Sequence, residues 1–300
     1  MSDFHTPVLL DQCIEGLNIS PKGIYVDATF GGGGHSRSII SKLSGGKLIG
    51  FDQDKAALVN VIDNDNRFTM INKNFRYLKE SLLNLNIHSI DGLIADLGVS
   101  SYQFSNNNRG FSLKYDANLD MRMDYDLEKD AADILNNYNA KNLSRIFREH
   151  ADFNSPNFIV KKILDARKKQ SINTTFEFKQ LFGSAISGKQ ENKFFARLFQ
   201  AIRIEVNDEL NCLKELLKQS LEILNPSGRL VVISYHSLED KIVKNFMKFA
   251  NFSNSPAKDF FGNPSLPFKV ITKRPIVASD AEVKFNNKAR SAKLRVCEKL

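Results

Sequence analysis

The run Asp27-Ala28-Thr29-Phe30-Gly31-Gly32-Gly33-Gly34-His35 gathers the residue types best suited to holding a ligand against the backbone. Glycines let the chain pass close to a bound group, because a Cβ would clash there. A helix that starts after such a bend offers unpaired N–H groups and the positive end of its dipole. The next apolar run ends in Asp52, and an acidic residue at that point can accept both hydroxyls of a ribose. This spacing fits NAD and S-adenosylmethionine equally. A dinucleotide fingerprint would read Gly-x-Gly-x-x-Gly, but Gly31 and Gly33 put Ser36 in the third place, and Gly32 and Gly34 put Arg37 there. The dinucleotide reading weakens accordingly. The glycine run taken alone is also explained by a tight turn.

Further along, Asn74-Phe75 follows a third apolar run, and Asp96-Leu97-Gly98-Val99-Ser100-Ser101 ends a fourth. Asp96 would face the same crevice as Asp27 and Asp52, although an aspartate also ends a strand simply by capping the next turn. Phe75 either stacks on an adenine or fills the core, and for one Phe among 23 the core is the stronger reading. Leu119-Asp120-Met121-Arg122-Met123-Asp124 is a dense polar cluster around two methionines. It suits either a salt-bridged anchor or a site where Arg122 fixes a phosphate or base edge while the carboxylates orient an amine. Ser234-Tyr235-His236-Ser237 brings Ser and His together without the strand–Gly-x-Ser-x-Gly–helix elbow of a hydrolase. Ser237 is the expected N-cap of the following helix, with Asp240 at its third position. His236 then stands at a strand's carboxyl end or is a hydrogen-bonded core histidine.

The elements that must position these residues alternate. Strands are expected at 24–30, 47–52, 67–71, 92–97 and 229–234, with helices at 35–43, from Asp54, at 77–85, near 205–224 and at 238–249. Two more strands are expected at 268–273 and 293–296. Short apolar strands alternating with helices imply a parallel sheet covered on both faces. Asn225-Pro226-Ser227-Gly228 is expected to stop the long helix. Between 104 and 200 the alternation lapses, and only helical periodicity near 128–138, 141–149 and 157–169 remains. The economical reading is an α/β fold with a discontinuous sheet domain, 1–103 and 201–300, and an all-helical insertion at 104–200.

The whole chain is 300 residues long with a net charge of +8, and residues 241–300 alone carry +9, which suggests a polyanionic partner or a merely solvated tail. Its three scattered cysteines, Cys13, Cys212 and Cys297, suit neither a zinc site nor a disulfide framework, so no metal and a reducing, cytoplasmic setting are expected. No apolar run approaches the roughly 20 residues a membrane helix needs. The first residues lack the charged and apolar regions of a secretory signal.

Taken in order, the motifs resemble one family closely. They are His5-Thr6-Pro7-Val8-Leu9-Leu10, Thr29 to Ser36, Asp96 to Ser101 with Gln103, and Arg109-Gly110-Phe111-Ser112. Leu119 to Asp124, Phe199-Gln200-Ala201-Ile202-Arg203-Ile204, Ser234 to Asp240 and Ala289 to Arg295 complete the set. The chain is similar, nearly end to end, to the bacterial small-subunit ribosomal RNA cytosine-N4 methyltransferases, the MraW-like or RsmH-like enzymes. The resemblance implies a Rossmann-like class I methyltransferase sheet and S-adenosylmethionine as cofactor. It implies that Gly33, Gly34 and His35 wrap the methionine part, that Asp52 holds the ribose and Phe75 lies against the adenine, and that Asp96 and Gln103 complete the pocket.

The implied reaction is methyl transfer to the exocyclic amine of a cytidine in the decoding region of 16S rRNA, with that RNA or the small ribosomal subunit as partner. Amine methyltransferases often present an Asp/Asn-Pro-Pro-aromatic turn, and Asp96-Leu97-Gly98-Val99 stands there instead. The proton acceptor therefore stays open among Asp96, Asp120, Asp124 and His236. Arg122, Arg290, Lys293 and Arg295, with Lys273, Arg274 and Lys288, are the candidate RNA contacts. The family often has an arginine where Gly32 stands, a Gly-Glu-Glu run where Ala151-Asp152-Phe153 stands, and a His-Pro pair where Lys193-Phe194 stands. A non-catalytic RNA-binding or assembly factor on the same fold and a nicotinamide-dependent oxidoreductase are the rival readings. A homodimer is left open.

Overall fold

The computed structural model describes residues 7–186, 190–256, 262, 264 and 266–300. His5 and Thr6, which open the first motif, lie outside the described residues. The chain forms two compact units, one of residues 1–98 with 210–300 and one of residues 99–209.

The first unit is a seven-stranded sheet in the order β3-β2-β1-β4-β5-β7-β6. Its elements are α1 (Leu10–Leu17), β1 (Ile24–Asp27), α2 (Gly34–Lys42), β2 (Lys47–Phe51), β3 (Phe68–Ile71), α3 (Leu78–Asn84) and β4 (Ile90–Asp96). The second unit holds α4 (Ser101–Ser105), α5 (Ala131–Asn137), α6 (Ala140–Glu149), α7 (Asn157–Arg167), α8 (Thr175–Gln180) and α9 (Glu191–Asn207). The chain then runs through α10 (Glu209–Ile223), β5 (Leu224–Ser234), α11 (Ser237–Phe249), β6 (Phe268–Val270), α12 (Asp280–Phe285) and β7 (Lys293–Lys299).

β1 to β5 are parallel, and β7 lies antiparallel between β5 and β6. The alternation of side chains along each strand explains the layering. In β5, Leu230 and Val232 pack with α3, α10 and α11, whereas Val231 and Ile233 pack with α1 and α2. Both faces are buried, which is why these strands read as unbroken apolar runs. β1 to β3 step toward one sheet edge and β4 and β5 toward the other. The order therefore reverses between β1 and β4, where open α/β sheets place their ligands.

Three local expectations need correction. The long helix near 205–224 is two helices, because the chain turns at Asp208 with φ of +50°. The helix expected from Asp54 is a short 3-10 turn, Lys55–Asn60, whose start Asp54 caps by accepting the Ala56 N–H. The Asn225–Gly228 stop is a bulge inside β5, where Leu224 faces Ile90 but Arg229 faces Gly92. Ser227 there adopts φ of +66°, and Asn225 donates to Asp91 Oδ1 at 2.9 Å.

The units also divide at Gly98/Val99 and Glu209/Leu210, not at 103/104 and 200/201. Residues 99–103 begin the capped helix α4, and α9 runs through position 200 without a break.

The second unit has its own core. Leu143, Ile146 and Phe147 of α6, Ile159 and Ile163 of α7, Phe178 of α8, and Leu198 and Ile202 of α9 are all buried in it. Among its described residues the strand pairing is one bridge, Asn118 to Thr174. Two of the three departures from the family pattern meet here. The rings of Phe153 and Phe194 pack edge-on at 5.6 Å, and the Arg197 guanidinium lies 4.0 Å over Phe153. Apolar and cation–π packing holds this part of the unit together.

Truncating a fully buried β5 side chain tests the two-faced sheet. Leu230→Ala is expected to lower unfolding free energy by about 2–5 kcal/mol, read as a lower denaturant midpoint with an unchanged slope.

Candidate cofactor site

β2, β1 and β4 are parallel neighbours, so their carboxyl ends bring Asp52, Asp27 and Asp96 to one edge of the sheet. The backbone knits this edge together. Ala28 N–H donates to Ile94 O and Phe30 N–H to Phe51 O, both at 2.8 Å. The Asp96 N–H donates to Thr29 Oγ1 at 2.6 Å.

The glycine bend then turns on two positive φ angles, +51° at Gly31 and +73° at Gly33. A Cβ at Gly33 would stand 2.5 Å from Arg37 Nη1 and 2.9 Å from the Phe30 ring. One at Gly34 would stand 2.2 Å from Pro7 Cγ. Gly32, by contrast, has nothing within 4 Å of such a Cβ. The position therefore has room for the arginine that the family often carries. Gly33 starts α2 without a side-chain cap, so no capping side chain occupies the N–H groups of its first turn.

Asp52 closes the bend. Its Oδ2 accepts the Gly31 N–H and its Oδ1 the Asp54 N–H, each at 2.8 Å. A carboxylate has about four acceptor sites, so roughly two remain for the hydroxyls of a ribose. Burial pushes the Asp52 carboxyl up to about 6, against the pull of these two N–H donors. Phe75 opens a short 3-10 turn after β3 and is half-buried, packed against the core and partly exposed. The two readings of Phe75 are therefore compatible. Asn74 supports it, accepting the Arg76 N–H at 2.8 Å and donating to Gln53 Oε1 at 2.6 Å.

Asp27 is buried, accepting Ser36 Oγ–H at 2.7 Å and the Thr29 N–H at 3.1 Å. Burial raises its carboxyl, with His35 and these donors pulling the other way. His35 is also buried, with Nε2 at 3.1 Å from Val8 O. Asp96 Oδ1 accepts the Tyr235 hydroxyl at 2.6 Å. Burial raises Asp96 as well, against His35, Tyr235 and Lys288. The sequence reading does not pair either Tyr235 or Lys288 with Asp96. The signal for Tyr235 was its place one residue beyond β5, since Ile233 pairs with Asp96 itself.

His236 caps α11. Its Nδ1 accepts the Glu239 N–H at 3.4 Å, and Glu239 Oε2 accepts the Tyr235 N–H at 2.9 Å. The cap is His236 with Glu239, one residue before the expected pair Ser237 and Asp240. Asp240 serves elsewhere: its carboxylate takes Arg295 Nε at 2.7 Å and Lys293 Nζ at 3.4 Å. Arg295 is therefore a buried structural cation and not an exposed phosphate contact. Lys293 is half-exposed, and Arg290, Lys273 and Arg274 are exposed.

In the second unit, Gln103 is buried and reciprocally caps α4 with Ser100, at 3.0 and 3.1 Å. Asp120 and Arg122 turn on each other as a bidentate pair, Nε–Oδ1 and Nη2–Oδ2 both at 2.9 Å. Arg122 Nη1 also donates to Leu127 O at 2.9 Å. Buried Arg109 donates to Arg122 O at 2.6 Å and lies 4.6 Å from the Tyr125 ring centre. Asn207 clamps the same loop, accepting the Met123 N–H at 2.7 Å and donating to Met121 O at 2.8 Å. This is the salt-bridged anchor of the two sequence readings. Asp124 lies beside it, accepting the Asp126 N–H at 3.0 Å.

A seven-stranded sheet with an antiparallel seventh strand and a glycine bend between its first strand and helix defines a Rossmann-like class I methyltransferase. The MraW methylase family model matches residues 2–300, and the chain belongs to that family. It is 50% identical over 299 residues to the ribosomal RNA small subunit methyltransferase H of Flavobacterium johnsoniae, covering 99% of this chain and 98% of that one. The protein of the same name in Bacteroides thetaiotaomicron is 47% identical, covering 99% and 97%. Among solved structures, an rRNA methylase from Streptococcus thermophilus aligns over 97% of this chain and 93% of that chain, at 13% identity and a TM-score of 0.43. No helix among the described residues is long and apolar enough to cross a membrane.

The bend gives a paired test. Gly34→Val is expected to weaken S-adenosylmethionine binding by at least tenfold in calorimetry, whereas Gly32→Arg is expected to leave it within twofold. Asp52 gives a pH test. Its ionised form supplies the acceptors, so affinity should level off well above pH 6 and fall as pH drops through about 6. Asp52→Asn should remove that dependence.

Proposed function

We propose that this chain transfers the methyl group of S-adenosylmethionine to N4 of a cytidine in the decoding region of 16S rRNA, acting on the small ribosomal subunit. The observation that carries the reading is the sheet edge where the glycine bend, Asp52 and Asp96 converge beside the strand-order reversal. The names of the relatives support the substrate class.

The donor supplies a sulfonium methyl that is already strongly electrophilic. The protein's task is therefore chiefly alignment, and well-aligned reactants save about 7–11 kcal/mol of barrier. Gly33, Gly34 and the first N–H groups of α2 would receive the amino-acid part. Asp52 would hold the ribose hydroxyls, and the exposed part of Phe75 would cover the adenine. The cytosine amine is a poor nucleophile, because its lone pair is delocalised into the ring. A carboxylate accepting one of its N–H groups raises the electron density on nitrogen and takes the surplus proton afterwards. Among the candidates, Asp96 is best placed for this, since it ends β4 beside Asp27 and burial makes it more basic than an ordinary aspartate. Asp120 is spent on Arg122, and His236 on capping α11.

A paired cytosine hides its amine, so the base must be unpaired or flipped out. The helical unit is assigned to substrate recognition, and exposed Lys273, Arg274 and Arg290 to phosphate contacts. Such contacts make binding fall steeply with salt.

The test is to incubate the chain with labelled S-adenosylmethionine and small subunits from cells lacking the enzyme, then to identify the modified nucleoside by mass spectrometry. N4-methylcytidine is expected. Asp52→Ala should lower kcat/KM by about ten- to hundredfold. Absence of transfer to free RNA, subunits and ribosomes alike would refute the reading.

A further inference from the structure

Asp96 is fixed from three sides. Its N–H is held by Thr29 Oγ1 at 2.6 Å, its Oδ1 by the Tyr235 hydroxyl at 2.6 Å, and its strand by the pairing of β4 with β5. Among the described residues, Oδ2 takes no hydrogen bond. Tyr235 is itself held rather than loose. Its N–H donates to Glu239 Oε2 at 2.9 Å, and that same carboxylate closes the cap of α11. Its ring packs over Gly98, where a Cβ would stand 3.3 Å from Tyr235 Cδ2 and where φ is +97°. The start of α11 is thereby linked through Glu239 and Tyr235 to the carboxylate that ends β4.

We propose that Tyr235 is a positioning residue for the methyl-transfer site: its hydroxyl locks Asp96 Oδ1 and leaves Oδ2 as the oxygen presented to the substrate amine or the cofactor. This rests on the function proposed above. A carboxylate on a χ2 bond can rotate and offer either oxygen, and a short charge-assisted O–H···O bond removes that freedom. It also biases the group toward its ionised form, which is the form that can accept a proton from the amine.

The surroundings of Asp96 set the sign. Asp27 on β1 raises its carboxyl along with burial, while His35 on α2, Tyr235 after β5 and Lys288 in the Asn287–Ser291 turn lower it. Cys13 on α1 is a further titratable neighbour, with its thiol pushed up by burial and by Asp96 and Asp27. Burial and the Asp96 charge push the Tyr235 phenol well above its ordinary range, so it stays a donor across the working pH. Removing that donor must therefore raise Asp96 further. Strengthening it must lower Asp96.

The experiment is a 13C NMR titration of the Asp96 carboxyl in the ligand-free protein, assigned with Asp96→Asn and run alongside pH profiles of kcat/KM. Tyr235→Phe is expected to move the carboxyl midpoint up by about one pH unit, a tenfold change in its protonation equilibrium. The acid limb of kcat/KM should move with it. Incorporating 3-fluorotyrosine at position 235 keeps the ring and makes a stronger donor, so both readings should move down even if Tyr235→Phe fails to fold. An unmoved midpoint would overturn the proposal, as would a moved midpoint with an unmoved acid limb or a uniform loss of rate at every pH. If the unaltered protein transfers no methyl group, the proposed function fails, while the titration still judges the Tyr235–Asp96 bond.

Discussion

The hydrogen bond from the Gly31 N–H to Asp52 Oδ2, 2.8 Å long, is the contact on which the site's geometry depends. It ties the bend after β1 to the end of β2, and the bend can reach that point only because Gly31 and Gly33 take positive φ. With it in place, the first turn of α2 lies beside the Asp52 carboxylate. The constraint is electrostatic as well as steric. Three carboxylates share one partly desolvated sheet edge, and burial raises all of them. Each is offset by specific donors: Ser36 and Thr29 for Asp27, Gly31 and Asp54 for Asp52, Tyr235 for Asp96. An unpartnered carboxylate in such a place would cost several times what a hydrogen-bonded one does.

Two cations that looked functional in the sequence, Arg295 and Arg122, hold the fold together. Arg295 lies under α11, where Asp240 takes it in a two-contact pair. Arg122 closes on Asp120, and Arg109 is buried against the backbone of the same loop. Paired burial of this kind gives a loop one geometry, because losing either partner strands a charge. The cations left exposed, Lys273, Arg274 and Arg290, lie in the strongly basic final part of the chain. Fixed structural cations and exposed binding cations thus occur within a few residues of each other, as Arg290 and Arg295 show.

The sheet was legible because each buried strand reads as a short apolar run, with Asp27, Asp52 and Asp96 where those runs end. The glycine bend and Asp52 were legible for the same reason, since backbone approach demands glycine and the spacing follows from one strand–helix–strand unit. What the sequence hid was local competition between nearly equal options. Asp208 breaks a helix that its flanking periodicity would continue, and only a positive φ marks the break. His236 outcompetes Ser237 as the cap of α11 because Glu239, not Asp240, closes the box, and Asp240 is drawn to Arg295. The signal for Tyr235 in the sequence is only its place just after a buried strand. Its role appears only once parallel pairing sets the end of β5 beside the end of β4.

A crystal structure of the chain with S-adenosylhomocysteine would test the central claim most directly. The account predicts both ribose hydroxyls within hydrogen-bond distance of the Asp52 carboxylate, with the Gly31 N–H still bound to Oδ2 and the adenine lying against Phe75. Ligand density elsewhere on the chain, or a ribose held by some other residue while Asp52 points away, would contradict it.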